Sequence, residues 1–293
     1  MGLTQSAGTG GMRLNPAAVL RRFTRAARMP AAEPAPPTCC LRLSLAGRVA
    51  LVTGAGGELG RVIARTFAVC GADVIVHYLR SQERAEGLAE EIRCLGVRSC
   101  AAQADVASLD SVMALREAVA RELGPVDIAV SNAVAWHATA SVLELPLKEF
   151  EAVHRTCVLQ AVTLAKVFAP GMIERRWGRI IGISSEVAMQ ALANTAPYTA
   201  GKRGMDGVLR VLARELGAHH ITVNQVAPGW VVSDKDRAAR TERCEAYENT
   251  VPLRHRGSDQ DVANAVAFLA SDLAGFITGV YLPVCGGNVM PGI

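Results

Sequence analysis

The chain has 293 residues, half of them apolar and a fifth charged, with a mean hydropathy of +0.22. This excludes disordered and fibrous classes and leaves room for one large α/β domain or two small ones. The formal charge of +4 is unevenly placed: the segment through Leu45 holds six arginines and one glutamate, the remainder 25 bases and 26 acids, so nucleic-acid binding loses its main support.

In chain order, residues 1–44 are rich in Ala, Pro, Gly and Arg and read as a disordered basic extension stiffened by Pro34, Pro36 and Pro37. Its alternatives are an organellar transit peptide around Leu20 to Met29, N-myristoylation at Gly2, or a chain start at Met12; the first two require a eukaryotic source. From residue 45 the pattern becomes regular. Apolar runs at Val49–Val52, 74–76, 100–102, 128–130, 180–183, 222–226 and 280–284 predict strands, and stretches of helical period such as 82–95 and 109–123 separate them. The uncharged stretch 273–293 is broken by glycines and two prolines, so it reads as a last strand with its loops and not as a membrane span. The eight cysteines show no C-x-x-C spacing and no cluster with histidines. No metal site is expected, and reduced thiols fit a cytoplasmic protein.

Strands alternating with helices predict a single α/β domain over 45–293, a doubly wound parallel sheet with helices on both faces. Ligands of such sheets bind beyond the carboxyl ends of the strands. There the first strand delivers Thr53-Gly54-Ala-Gly56-Gly57-Glu58-Leu59-Gly60, glycines for a tight turn followed by helix amides for a pyrophosphate. The second strand ends in Tyr78-Leu-Arg80-Ser81. No acid stands there to hold an adenosine ribose, and Arg80 can pair a 2′-phosphate, which favours NADP(H) over NAD(H); otherwise Arg80 is a solvated loop residue. Ser185 follows the fifth strand, and Tyr198 and Lys202 stand one helical turn apart. A positive charge beside a phenol favours phenolate, which suits a general acid/base. Taken alone, Tyr-x-x-x-Lys is an ordinary helix-surface pair.

Further motifs follow in order: Asp105-Val106, Ser131-Asn132-Ala133, Pro228-Gly229 with Ser233, and Phe276-Ile-Thr-Gly279 before Gly286-Gly287. With the glycine loop, Ser185 and Tyr198/Lys202, they resemble the short-chain dehydrogenase/reductase family from Leu45 to the C-terminus, most like 3-oxoacyl-carrier-protein reductases and related ketoreductases. The resemblance implies a Rossmann-type sheet of about seven parallel strands. It implies Tyr198 as general acid/base, Lys202 on the nicotinamide ribose and Ser185 on the substrate oxygen. Cofactor contacts would come from Gly54, Gly56, Gly57, Glu58, Leu59, Gly60, Tyr78, Arg80, Ser81, Asp105, Val106, Asn132, Tyr198, Lys202, Pro228, Gly229, Val231 and Ser233. Trp136, His137, Ser185, Val187, Met189, Gln190 and Trp230 would face an acyl, aromatic or polyketide-like carbonyl substrate. His137 reads either as an extra proton donor or as a loop histidine without that role. Residues 234–251 would form a mobile lid, Arg254 and Arg256 would meet an acidic carrier protein, and the chain would pair as a homodimer or homotetramer through the helices around Cys157 and Tyr198. The implied activity is NADPH-dependent reduction of a keto group, or its reverse; the alternatives are an NAD-dependent alcohol dehydrogenase and a catalytically weakened scaffold on the same fold.

Three positions depart from the family's pattern. Glu58 stands where compact members carry glycine, and is expected to point away from the pyrophosphate at the helix N-terminus. Val134 narrows the groove slightly. Cys157 replaces an asparagine that supports a relay water; a thiol is a weak donor and acceptor, so the expected role is buried packing and a relay that uses backbone carbonyls or runs slower.

Overall fold

Val49–Val52 form β1, four consecutive apolar residues with no exposed face, as expected of a strand covered on both sides. The computed structural model describes residues 42–135 and 137–292; the extension through residue 41, with its targeting, lipidation and start-site readings, and Trp136 lie outside the described residues. Six further strands follow: β2 (Asp73–Tyr78), β3 (Ser99–Gln103), β4 (Ile128–Ser131), β5 (Gly178–Ile183), β6 (Ile221–Pro228) and β7 (Tyr281–Val284). All pair in parallel, in the order β3-β2-β1-β4-β5-β6-β7. The order reverses at β1, between β2 and β4, and that reversal opens a crevice at the carboxyl edge.

Alternation along β1 divides the core in two. Ala50 and Val52 enter one layer, with Ile63 and Phe67 of α1 (Glu58–Val69), Leu88 and Ile92 of α2 (Gln82–Arg93) and a third helix late in the chain. Val49 and Leu51 enter the other, with Val112 and Leu115 of α3 (Leu109–Glu122) and the helices that follow it. There α4 (Leu147–His154) and α5 (Gln160–Arg175) run on as one helix through a π turn at Arg155–Leu159. This 29-residue helix is long and apolar enough to cross a membrane, but it is a core helix. Leu164, Phe168 and Met172 are buried against the sheet, each contributing roughly 1.5–3 kcal/mol of burial.

After β5 come α6 (Glu186–Gln190) and α7 (Ala196–Leu216); after β6 come α8 (Asp234–Ala239), α9 (Glu245–Glu248) and α10 (Asp259–Ala270), the third helix of the first layer. Ser233 with Asp236 and Ser258 with Asp261 form reciprocal caps that start α8 and α10. The body takes in Leu43 and the buried Leu45, whose amide donates to Cys70 O.

Candidate active site

At the end of β1 the backbone turns through Gly54 at φ +61°, a left-handed conformation that glycine adopts without strain. Two buried side chains fix the turn. Thr53 Oγ1 donates to Gln160 Oε1 (2.7 Å) and accepts from the amides of Asn132 and Ala133. His77, at the end of β2, accepts from Gly54 N at Nδ1 (3.1 Å) and, as the tautomer protonated at Nε2, donates to Ala104 O (3.0 Å). Burial pushes His77 down to about 4, so it stays neutral and keeps its acceptor. Gly57 has no side chain with which to cap α1, so the first-turn amides stay open to an anion. A Cβ on Gly60 would strike Gly54 O and lie 2.8 Å from Asn132 Nδ2.

This loop forms one wall of a cleft of about 930 Å³ across the carboxyl ends of the strands. Of the predicted cofactor positions, the cleft gathers Gly54 through Gly60, Tyr78, Arg80, Ser81, Asp105, Val106, Asn132, Tyr198, Lys202, Pro228 and Gly229, and Ser185 with them. Val134 lines it too, half-exposed. These residues fit a dinucleotide: open amides for the pyrophosphate, a cradle that a side chain on Gly60 would fill, and Arg80 at the rim.

Several predicted residues do other work. Ser233 exchanges hydrogen bonds with Asp236 as the cap of α8, and Val231 packs on the core; neither lines the cleft. His137, Val187, Met189, Gln190 and Trp230 stand outside its lining as well. Val187 N donates to Ser185 Oγ (3.2 Å), and Trp230 is half-exposed, edge-on to Tyr247 and beneath Arg256. Arg256 cannot be a docking cation: it is buried, its guanidinium donating to the carbonyls of Trp230, Val231, Thr241 and Glu242. Arg254 is exposed. Glu58 Oε2 accepts from Arg61 Nη2 (2.9 Å) and Lys235 N (3.3 Å), which carries its side chain to the start of α8.

Sequence reasoning missed four residues of the site. Arg84 and Arg155 add cations to the cleft, and Arg155 pairs with Asp105 (3.3 Å). Glu186, next to Ser185 and buried, accepts from Tyr247 Oη (2.8 Å) and Asn288 Nδ2 (3.0 Å); burial and this carboxylate push Tyr247 up to about 12. His77, just before Tyr78 in β2, carried no assigned role. Only for Arg84 was there a sequence signal, a second arginine shortly after Arg80, in the first turn of α2.

At the far end of the cleft, Lys202 is buried, its Nζ donating to Ile183 O (2.6 Å) and lying 5.5 Å from the centroid of the Tyr198 ring. Cys157, in the π turn, is fully buried, and a Cβ on the facing Gly201 would come 3.4 Å from its Sγ. Burial pushes its thiol up, with Lys202 pulling the other way. The opposite face of the site is aromatic: His137 stacks on Tyr198 with centroids 4.8 Å apart and planes 11° apart. No group of three His, Cys, Asp or Glu arranged to hold a metal ion occurs among the described residues.

A family profile described as Enoyl-(Acyl carrier protein) reductase matches residues 54–288, and the 3-oxoacyl-[acyl-carrier-protein] reductase of Staphylococcus aureus is 40% identical over 241 residues, 82% of this chain and 98% of that one. The chain belongs to the short-chain dehydrogenase/reductase family. The corresponding reductase of Pseudomonas aeruginosa is 38% identical over 248 residues, covering 85% of this chain and 100% of its own. Among solved structures, a gluconate 5-dehydrogenase from Burkholderia cenocepacia in complex with NADP and tartrate superposes with a TM-score of 0.77 at 29% identity, covering 84% of this chain and 97% of that one. A 7α-hydroxysteroid dehydrogenase in complex with NADH and 7-oxo glycochenodeoxycholic acid gives 0.76 at 32%, covering 85% and 97%. As a member of this family the chain is an NAD(P)-dependent short-chain oxidoreductase acting on CH–OH or C=O groups.

Proposed function

We propose that this oxidoreductase reduces a keto group to a secondary alcohol with NADPH, Tyr198 supplying the proton. The observation that carries the reading is the joint placement of Ser185, Tyr198 and Lys202 at one end of a cleft whose rim holds Arg80 and Arg84. Bound nicotinamide supplies the hydride. Ser185 Oγ accepts from Val187 N, which leaves its hydroxyl proton free for a carbonyl oxygen. The Tyr198 phenol gives its proton to the same oxygen as negative charge develops there, and the Lys202 ammonium favours the phenolate left behind. Two hydroxyl donors in one cleft suit a carbonyl oxygen better than a carbon–carbon double bond, so the reading follows the similar 3-oxoacyl reductases and not an enoyl reductase.

NADPH is favoured because Tyr78 to Ser81 hold no acid but do hold Arg80, and Arg84 follows them in the cleft lining. The relatives' names support an acyl-type substrate, and the apolar hollow of about 540 Å³ between α4 and α7, with Phe150, Pro197 and Ala200 in its lining, supports pairing of two copies. A panel of acyl thioesters, quinones, sugars and steroid or polyketide ketones, followed by NADPH oxidation, tests the reaction. Fluorescence titration tests the cofactor, and NADH binding more tightly than NADPH would overturn that choice. Tyr198→Phe is expected to lower kcat at least about a hundredfold with NADPH affinity nearly unchanged; activity surviving it would remove the proton-donor role.

A further inference from the structure

The proposed hold of Ser185 on a carbonyl oxygen depends on where its hydroxyl stands, and its own segment anchors it weakly. Ser185 begins α6, a helix of five residues that ends at Ala191 in a left-handed conformation, φ +52°. A turn this short has little stability of its own. Two donors to Ser185 belong to it: Val187 N to Oγ (3.2 Å) and Ala188 N to the carbonyl (3.1 Å). Both move with the turn, so neither ties Ser185 to the sheet.

A third donor comes from the far edge of the sheet. Tyr281, in β7, is buried; its Oη donates to Ser185 O (2.5 Å) and accepts from Ser184 Oγ (3.4 Å). The register sets Tyr281 beside Gln225 of β6 and Gln225 beside Gly182 of β5, so the phenol spans β6 to reach the first two residues beyond β5. On that face lies α7, which carries Tyr198 and Lys202: Gln225 Nε2 donates to Asp206 Oδ1 of this helix (2.7 Å). Burial pushes the Tyr281 phenol up, so it stays protonated and a donor. Among the described residues, Tyr281 is the one hydrogen-bond donor to Ser185 from outside the α6 turn. A phenylalanine ring would fill the same space; the hydroxyl is the part that reaches the site.

We propose that Tyr281 is a positioning residue, its phenol fixing the Ser185 backbone so that the Ser185 hydroxyl meets the substrate carbonyl beside Tyr198. The proposal rests on the reductase reading above. Tyr281 is not in the cleft lining and acts through Ser185 alone.

Tyr281→Phe keeps the ring and removes the bond. It should lower kcat about threefold to tenfold, with KM and NADPH affinity within about twofold. Leu282→Ala controls for a weakened β7, because its side chain packs on the other core layer. It should lower the melting temperature and leave kcat within about twofold. In a Ser185→Ala background, Tyr281→Phe should change the residual kcat by less than about twofold, since both changes act on one group. Wild-type kcat in Tyr281→Phe, an equal loss of kcat in Leu282→Ala, or a full further loss on top of Ser185→Ala overturns the proposal. Absence of carbonyl reduction by the wild-type chain across the whole substrate panel would instead overturn the reductase reading on which it rests.

Discussion

A Cβ on Gly60 meets a backbone carbonyl and an anchored amide, Gly54 O and Asn132 Nδ2, and neither is the loose end of a flexible side chain. Gly60→Ala must therefore push α1 away from the loop. The expected cost is about 1–3 kcal/mol of stability, with NADPH affinity down at least about tenfold, read by thermal melts and fluorescence titration. Cys157→Asn acts the other way. It sets a full hydrogen-bonding side chain near Lys202, where water can be held, and turnover should be retained or raised; a large loss of kcat would give the thiol a specific role. Gly60, Ser185, Tyr198 and Lys202 were legible because the turn and the helix impose a spacing on them. His77 was not, since a histidine inside a strand has no spacing signature. Its role comes from the register of β2, which sets Nδ1 at Gly54 N and Nε2 at Ala104 O.

At the scale of elements, the family resemblance implied a mobile lid after β6, over residues 234–251. In the structure α8 and α9 are fastened. Ser233 and Asp236 cap α8, the buried Arg256 gathers four carbonyls, and Tyr247 donates to Glu186 while accepting from Trp230 N (2.9 Å). Composition shows charge but not direction, so a buried arginine and a solvated one look alike in sequence. Tyr247→Phe leaves the Glu186 carboxylate short of a donor inside the protein, a loss of about 1–3 kcal/mol. The expected result is a KM raised several-fold, kcat within about twofold, and faster proteolytic cleavage between residues 234 and 251. The π turn was equally invisible. Residues 147–175 carry a continuous helical pattern, and the extra residue in one turn appears only where Cys157 packs on Gly201.

For the whole molecule, seven strands were legible because a parallel sheet covered on both faces needs nearly continuous apolar runs. Their edges were less so: β6 runs Ile221–Pro228, longer at both ends than the run 222–226, and its buried Asn224 and Gln225 find partners in Ile277 O and Asp206 Oδ1. The fold also sets a pH dependence. His77 is held near 4 in the folded chain against an ordinary 6.5, so between those values the unfolded chain binds the extra proton. Stability is full above about pH 6.5 and falls as pH drops towards 4, by about 3 kcal/mol from this residue. Melts across that range should show a slope that His77→Asn flattens, and a slope unchanged in the variant would assign it elsewhere.

Glu58 once more has a consequence for the cleft as a whole. Arg61 reaches both Glu58 (2.9 Å) and Asp234 (2.7 Å), and Glu58 reaches the amide of Lys235. The glycine loop after β1 and the segment after β6 are thus strapped together by partly exposed charges, a strap that mobile ions loosen when the Debye length drops from about 10 Å at 0.1 M salt to about 3 Å at 1 M. How long a dinucleotide stays aboard becomes a function of ionic strength: dissociation should quicken as salt is added, and Glu58→Gln should make the departure rate nearly indifferent to it.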